Sequence, residues 1–301
     1  MSMVTADQAF RAYEAVRHRL PPAVGQGGPV RHVETLAEIA DAFDVFLLDA
    51  FGVLNIGETA IPGAPERIAD LQQAGKTVIV VSNAASVPAK DLQQKYRRLG
   101  FEFELSRIVT SRSAMAVAMN GQRGTHWGVM APEHSEFGDF DGLNSVLLGD
   151  DAEIFDEVEG FLLMGSGTWT EARQTLLETA LKTRPRPVLV ANPDIVAPRE
   201  DGFSQEPGHF AHQLADRVGV EPVFYGKPFS NVFDLALSRI GPVDKSRVIM
   251  IGDSLHTDIL GAQSCGIASG LIAKFGFFAD LDVMRAIESA GIYPDFVVER
   301  P

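Results

Sequence analysis

Cysteine and positive charge are both scarce in this chain of 301 residues. The single cysteine, Cys265, cannot form an internal disulfide, which is typical of proteins from a reducing compartment. Lysine and arginine number 26 against 40 aspartates and glutamates, which gives a formal net charge of −14. Nucleic acids and anionic membrane surfaces attract clusters of basic residues, so we expect neither as a partner.

Long apolar runs are also missing from the sequence. We see no signal-type apolar segment near the start and no run long enough to cross a bilayer, and we therefore expect a cytoplasmic protein. Apolar residues make up 46% of the chain and charged residues 22%, as in ordinary globular proteins. The length admits one large domain or a core with an inserted second domain.

The order of predicted elements favours the second arrangement. From residue 44 to 110, short apolar runs alternate with amphipathic segments, which predicts a parallel, doubly wound, Rossmann-like α/β sheet. Between about residues 123 and 206 this regular alternation stops, and the sequence predicts four short strands and one clear helix. The core resumes with a strand at Val223–Tyr225. The predicted units are an N-terminal helix and loop at 1–30, a core formed by 31–122 and 207–301, and an inserted α+β cap at 123–206.

Acidic residues follow two of the predicted core strands. Asp49 ends the apolar run Val45–Leu48, Asp253 ends a second run two hundred residues later, and Asp258 comes five residues after Asp253. Open α/β sheets bind their ligands at the carboxyl ends of the strands. Carboxylate oxygens suit Mg²⁺, although Asp49 and Asp258 also fit a turn acid and a helix-start acid.

Two further polar sites lie between these acids in the sequence. Ser82 and Asn83 end another apolar run and could donate hydrogen bonds to phosphate oxygens, although both are also ordinary turn formers. Lys227 lies between Gly226 and Pro228, where a fixed positive charge could offset the negative charge of a phosphoryl group. Together the residues predict a site for a metal ion and a phosphate.

Four short segments follow one another along the chain, and they resemble in sequence order the four motifs of the haloacid dehalogenase superfamily. They contain Asp49; Ser82 and Asn83; Lys227; and Asp253 with Asp258. The insertion after the second motif and the run Ala191-Asn192-Pro193-Asp194 resemble the class IIA phosphatases of that superfamily. The resemblance implies a Rossmann-like core with an inserted C2-type cap, and a Mg²⁺-dependent phosphatase acting on a small phosphorylated metabolite. Relatives of this architecture often pair through their caps, so a homodimer is a further expectation.

The resemblance also implies roles for the individual residues. It makes Asp49 the nucleophile and a Mg²⁺ ligand, and makes the loop at Asn192 and Asp194 part of the lid that selects the leaving group. The remaining implied roles are Mg²⁺ ligation by the backbone carbonyl of Phe51 and by Asp253, support of the metal's water shell by Asp258, binding of phosphoryl oxygens by Ser82 and Asn83, and neutralisation of Asp49 by Lys227.

One position departs from the family pattern. The phosphatases carry a second aspartate two residues after the nucleophile, as acid and base, and this chain has Phe51. General acid–base catalysis is worth about a hundred- to ten-thousand-fold in rate. Three alternatives follow: a phosphatase that is slow, restricted to acidic leaving groups or served by His209 or His256; a phosphometabolite-binding regulatory protein; or a 2-haloacid dehalogenase, a class that has an aromatic residue here but is metal-free.

The substrate itself is not specified by these motifs. Trp169, Arg199 and His209 could face the pocket, although Trp169 fits a buried core position equally well and Arg199 a solvated loop. Cys265 lies in a helical pattern, where we expect a small buried residue without a chemical role.

Overall fold

The computed structural model describes the chain in five stretches, which are residues 5–24, 29–121, 124–199, 202–279 and 281–301. Within these stretches, no helix has both the length and the apolar character needed to cross a bilayer.

The helices are mostly short and amphipathic. They are α1 (Ala6–Ala15), α2 (Ala64–Gln73), α3 (Ala89–Arg98), α4 (Ser111–Met119), α5 (Ala152–Glu157), α6 (Glu171–Thr183), α7 (Pro207–Val218), α8 (Ser230–Ser238), α9 (Leu260–Cys265) and α10 (Val283–Ala290). A π-helical turn over Leu255–Ile259 precedes α9.

The strands form two large sheets and two small hairpins. They are β1 (Arg31–Thr35), β2 (Val45–Leu48), β3 (Asn55–Ile56), β4 (Thr59–Ala60), β5 (Thr77–Ser82), β6 (Ile108–Thr110), β7 (His126–Met130), β8 (Asn144–Leu147), β9 (Gly160–Leu163), β10 (Val188–Val190), β11 (Val196–Arg199), β12 (Gly202–Gln205), β13 (Val223–Phe224), β14 (Val248–Gly252), β15 (Ala268–Ile272) and β16 (Phe296–Arg300).

The first sheet is the predicted parallel core. Its seven strands run in the order β1-β16-β15-β14-β2-β5-β6, and each neighbouring pair is parallel. Every residue of β2 and of β14 is buried, as expected for strands covered by helices on both faces. The α/β prediction is confirmed, and β2 lies in the middle between β14 and β5. This placement brings the ends of three predicted motif strands together.

The second sheet belongs to the inserted domain. Its five strands run in the order β13-β10-β9-β7-β8, and each neighbouring pair is again parallel. We predicted that Val223–Tyr225 returns to the core and that the insertion ends at residue 206, and this was wrong. Val223 pairs with Leu189 of the second sheet, and Phe210 and Leu214 of α7 pack in the apolar cluster of that sheet. Hydrophobic periodicity identifies a strand but does not say which sheet it joins.

The N-terminal segment packs against the rest of the protein through one face of its helix. Helix α1 begins with a capping box between Thr5 and Gln8. Its buried Tyr13 packs in an apolar cluster that combines core residues such as Leu255 and Phe277 with Ile195 of the inserted domain. The helix therefore contacts both large units at their junction.

Candidate active site

Three side chains from adjacent strands meet at the carboxyl edge of the first sheet. Asp49 follows β2, Ser82 ends β5 and Asp253 follows β14, and β2 pairs with both of the other strands. The backbone amide of Asp49 donates a hydrogen bond to the carbonyl of Ile251 on β14, at 2.8 Å. Pairing of the strands thus sets the spacing of the two acids.

Lys227 joins Asp49 and Asp258 into one ionic group. Its Nζ lies 2.6 Å from Oδ1 of Asp49 and 2.7 Å from Oδ1 of Asp258, and its side chain is only 2% exposed. Burial alone would lower the pKa of Lys227, but the charges of Asp258 and Asp49 and the hydrogen bonds to both raise it above its usual value. The ammonium group therefore stays charged at neutral pH.

The three aspartates form a compact oxygen cluster. One carboxylate oxygen from each of Asp49, Asp253 and Asp258 lies within 4.8 Å of the others. Burial, followed by the charges of Asp49 and Asp258, raises the pKa of Asp253 well above its usual range. Within the described residues, Lys227 is the one cationic side chain that forms ion pairs in this cluster, so a divalent cation would balance the remaining charge. Hard carboxylate oxygens in this number fit Mg²⁺.

Two glycines make room for the Asp253 carboxyl group. Gly52, at φ +73°, and Gly276, at φ +71°, adopt backbone conformations that side chains rarely allow. A Cβ atom at either position would collide with Asp253. The backbone amide of Phe277 then donates to Oδ2 of Asp253 at 2.9 Å. The loops after β2 and β15 are therefore shaped around this carboxylate.

Asn83 connects the lysine turn to the inserted domain. Its Oδ1 accepts a hydrogen bond from the Lys227 amide at 2.7 Å, and its Nδ2 donates to the Lys227 carbonyl at 2.9 Å and to Oδ1 of Asp194 at 2.7 Å. The Asn83 side chain is 3% exposed. Beside it, the Ser82 hydroxyl accepts from the amide of Ala84 at 3.2 Å.

The loop after β10 brings Asn192 and Asp194 to the same place. Oδ1 of Asn192 accepts from the Asp194 amide at 3.0 Å, and its Nδ2 donates to Glu206, the N-cap of α7, at 3.2 Å, so both groups of the Asn192 amide have protein partners. Burial raises the pKa of Asp194 to about 8, although the hydrogen bond from Asn83 acts in the opposite direction. At neutral pH this carboxyl group holds its proton most of the time.

A cavity of about 450 Å³ opens between the sheet edge and the inserted domain. Its wall includes eight of the nine residues to which the resemblance assigns a role, and the ninth, Asp258, lies fully buried behind Lys227. The predicted residues in the wall are Asp49, Phe51, Ser82, Asn83, Asn192, Asp194, Lys227 and Asp253.

Known proteins share this arrangement of sequence and fold. A family model for haloacid dehalogenase-like hydrolases matches residues 46–136, and a second model for HAD-hydrolase-like proteins matches residues 224–300. Bovine chronophin is 30% identical over 277 residues, which cover 84% of this chain and 89% of that protein. The chain belongs to the haloacid dehalogenase-like hydrolases.

Other relatives of this hydrolase carry phosphatase names. A 4-nitrophenylphosphatase from Schizosaccharomyces pombe is 25% identical over 280 residues, which cover 87% of this chain and 93% of that protein. The structure of a possible sugar phosphatase from Cytophaga hutchinsonii, 24% identical, shares the fold with a TM-score of 0.78 over 91% of this chain and 98% of that one. A glycerol phosphate phosphatase from Mycobacterium tuberculosis, solved with calcium, is 25% identical, with a TM-score of 0.64 over 79% of this chain and 68% of that one.

Neither histidine that we considered as a substitute acid lines the cavity of the hydrolase. His256 is 1% exposed, contacts Glu14 through Nε2 at 2.5 Å and stacks on Tyr13. Nε2 of His209 lies 2.8 Å from the amide nitrogen of Gln213 on the same helix. Both rings fill structural positions, so the two histidines are not the missing acid.

Two further residues, Trp169 and Arg199, were considered as pocket residues, and neither is found in the described cavity wall. Trp169 is 4% exposed and its indole donates to Oε1 of Gln174 at 3.0 Å, so it belongs to the core of the inserted domain. The side chain of Arg199 lies outside the described residues. Cys265 is buried in an apolar cluster, as expected for a residue without a chemical role.

The sequence analysis missed part of the cavity wall. Tyr13 of α1, Tyr96 of α3 and the segment from Met164 to Gly167 all line it. None of these lies at the end of a core strand or within a motif-like spacing. Tyr13 and Tyr96 each left a signal, since each lies on the apolar face of a predicted amphipathic helix, and that signal did not say what the helix covers.

Proposed function

We propose that this hydrolase is a Mg²⁺-dependent phosphatase that cleaves the monoester of a small phosphorylated metabolite, with Asp49 as the nucleophile. The observation that carries the proposal is the position of Lys227 Nζ, within 2.7 Å of both Asp49 and Asp258, at the strand edge that also holds Asp253. A paired lysine orients and neutralises a carboxylate that attacks an anion. The phosphatase names of its relatives support the same reaction.

The reaction would take place in two displacements. A carboxylate oxygen of Asp49 bonds to phosphorus while the bond from phosphorus to the leaving oxygen breaks, which produces an aspartyl phosphate. Water then attacks the phosphorus, inorganic phosphate leaves and the Asp49 carboxylate is regenerated. Ser82 and the backbone of Asn83 would hold the phosphoryl oxygens during both steps.

Mg²⁺ would be held by Asp49, Asp253 and the backbone carbonyl of Phe51, with Asp258 and Lys227 behind them. When bound, the ion would offset the negative charge of the phosphoryl oxygens and of the carboxylates. The assignment of Mg²⁺ to this site is supported by the oxygen cluster itself, in which three carboxylates lie beside Lys227.

Asp194 would supply the proton that Phe51 cannot. It lines the same cavity as Asp49 and Phe51, and within the described residues only its Oδ1 has a hydrogen-bond partner, the amide of Asn83. Its raised pKa, near 8, means that it enters the reaction with a proton to donate to the leaving oxygen. Donation neutralises the departing alkoxide and leaves a carboxylate that can accept a proton from the attacking water.

The test is phosphate release from 4-nitrophenyl phosphate and from a panel of sugar and glycerol phosphates, with and without Mg²⁺. We expect Mg²⁺-dependent release by the wild type and none by Asp49→Asn. Asp41→Asn, an exposed acid shortly before β2, is the matched control and should retain activity. Release that persists in Asp49→Asn would contradict the nucleophile, and release without Mg²⁺ would contradict the metal.

Binding without turnover is the second candidate function, and the observation in its favour is Phe51. A wild type that binds a phosphorylated metabolite in calorimetry but releases no phosphate from any of the panel would favour it. The dehalogenase alternative lacks such support, because a metal-free reaction has no use for the cluster of Asp49, Asp253 and Asp258.

A further inference from the structure

The N-terminal helix contributes to the cavity although it lies outside both segments matched by the family models, 46–136 and 224–300. Tyr13 is 2% exposed and is a member of the cavity wall. Helix α1 also contacts strand β12 of the inserted hairpin. A residue from a separate part of the chain thus faces the same space as Asp49.

The ring of Tyr13 packs against two core segments that position the acids. It stacks on His256 with ring centroids 5.0 Å apart and meets Phe277 edge-on at 6.2 Å. His256 precedes Asp258 by two residues, and the Phe277 amide donates to Asp253. One aromatic ring therefore contacts both segments.

The hydroxyl of Tyr13 reaches the inserted domain. It accepts a hydrogen bond from the amide of Ile195 at 3.2 Å, and Ile195 directly follows Asp194. Burial and the charge of Asp194 raise the pKa of Tyr13 well above its usual value, so its hydroxyl remains protonated. The N-terminal segment makes a second contact with the inserted domain, an ion pair between Arg19 and Asp216 of α7 at 2.5 Å.

The loop that carries Asp194 is therefore held from two sides. Asn83 donates to its Oδ1 from the core, and Tyr13 holds the following peptide from the N-terminal helix. Asn83 in turn binds both backbone groups of Lys227. A continuous series of hydrogen bonds leads from α1 to the lysine that contacts Asp49.

We propose that Tyr13 is a positioning residue, which holds the loop of Asp194 against the core so that this carboxyl group faces the leaving oxygen. The inference rests on the proposed phosphatase function and adds a role for the N-terminal helix. Tyr13→Phe keeps the ring and removes only the hydroxyl. One lost hydrogen bond corresponds to about a two- to tenfold decrease in rate.

The test compares Tyr13→Phe with Tyr293→Phe, a partly buried tyrosine at the edge of the same apolar cluster but outside the cavity wall. In Tyr13→Phe we expect faster hydrogen exchange at the Ile195 amide. We also expect a two- to tenfold lower kcat on glycerol phosphate, and a smaller change on 4-nitrophenyl phosphate, whose leaving group needs no proton. Tyr293→Phe should match the wild type in all three measurements.

A double-mutant cycle separates positioning from general support of the fold. If Tyr13 acts through Asp194, Tyr13→Phe should cause no further loss of kcat when Asp194 is already asparagine. Unchanged exchange at Ile195, equal losses on both substrates, or additive losses in the cycle would each overturn the inference. A wild type without phosphate release would instead contradict the proposed function, and this inference would be overturned with it.

Discussion

The two sides of the cavity differ in how their residues are placed. At the edge of the first sheet, Asp49, Ser82 and Asp253 are fixed by the pairing of β2, β5 and β14. On the facing side, Asp194 comes from a loop and Tyr13 from a helix that is distant in sequence. Single hydrogen bonds join Asp194 to Asn83 and Tyr13 to the amide of Ile195. In the proposed reaction the edge would supply the charges that any phosphate ester needs, whereas the facing wall would meet the leaving group.

This difference predicts two kinds of variant. Changes at the sheet edge should impair all phosphate esters equally, because they act on the phosphoryl group that all esters share. Changes in the facing wall should discriminate between esters according to their leaving groups.

Lys227→Met should lower kcat more than a change in the facing wall. Losing the ammonium group leaves Asp49 and Asp258 without their shared partner, and we expect about a thousandfold lower kcat on every ester. Lys182→Met, at an exposed lysine of α6, is the control and should retain full activity. A loss confined to one class of ester would contradict the assignment of Lys227 to the common step.

The same variant should also be less stable, since removing one partner of a buried ion pair costs about 3–5 kcal/mol. Thermal unfolding will show whether it remains folded at the assay temperature. Lys227→Arg keeps the charge and tests the geometry, because the planar guanidinium does not reproduce a point charge.

Asp194→Asn should have the next largest effect and should be selective. We expect kcat on glycerol phosphate to fall about a hundredfold, the lower end of general acid catalysis, with little change on 4-nitrophenyl phosphate. Asp151→Asn, at the N-terminus of α5, is a control within the inserted domain. Equal losses on the two esters would remove Asp194 from the acid role.

The pH dependence should differ between the two esters in the same way. Asp194 donates only when protonated, and its pKa is about 8, so kcat on glycerol phosphate should fall as the pH rises through that value. The groups facing Asp194 are Asn83, Lys227, Asp49, Glu206 and Tyr13. Asp194→Asn should lack this alkaline decrease, and a decrease of the same size in the variant would assign it to another group.

Mg²⁺ should raise the unfolding temperature by a few degrees, the smallest of these effects. A ligand at a hundred times its Kd stabilises the native state by about 2.7 kcal/mol. The increase should be lost in Asp253→Asn, whose carboxyl group is part of the oxygen cluster. An equal increase in wild type and variant would place the bound Mg²⁺ elsewhere.

Residues fixed by strand pairing were the ones that the sequence could predict. A buried run that ends on a polar residue indicates both the strand and its exit, and adjacent parallel strands bring such exits together, as with Asp49 and Asp253. Lys227 was recognised from its Gly-Lys-Pro turn, and the structure brings it to both acids.

The rest depends on contacts that local patterns do not specify. The pattern of Val223–Tyr225 identified a strand, but only its pairing with Leu189 and Val190 shows that it belongs to the second sheet. The face of α1 was apolar in the sequence, yet its partners come from residues about 180 and 240 positions away. The raised pKa of Asp194 likewise follows from burial that appears only when the two domains meet.

The most direct test of the central claim is to trap the phosphorylated enzyme. Wild-type protein is mixed with 4-nitrophenyl phosphate and Mg²⁺, quenched in acid within milliseconds and digested, and the peptide that contains Asp49 is examined by mass spectrometry. The account predicts one added phosphoryl group on Asp49, which is absent in Asp49→Asn. Phosphate release by the wild type with no phosphorylation of that peptide would contradict the claim that Asp49 is the nucleophile.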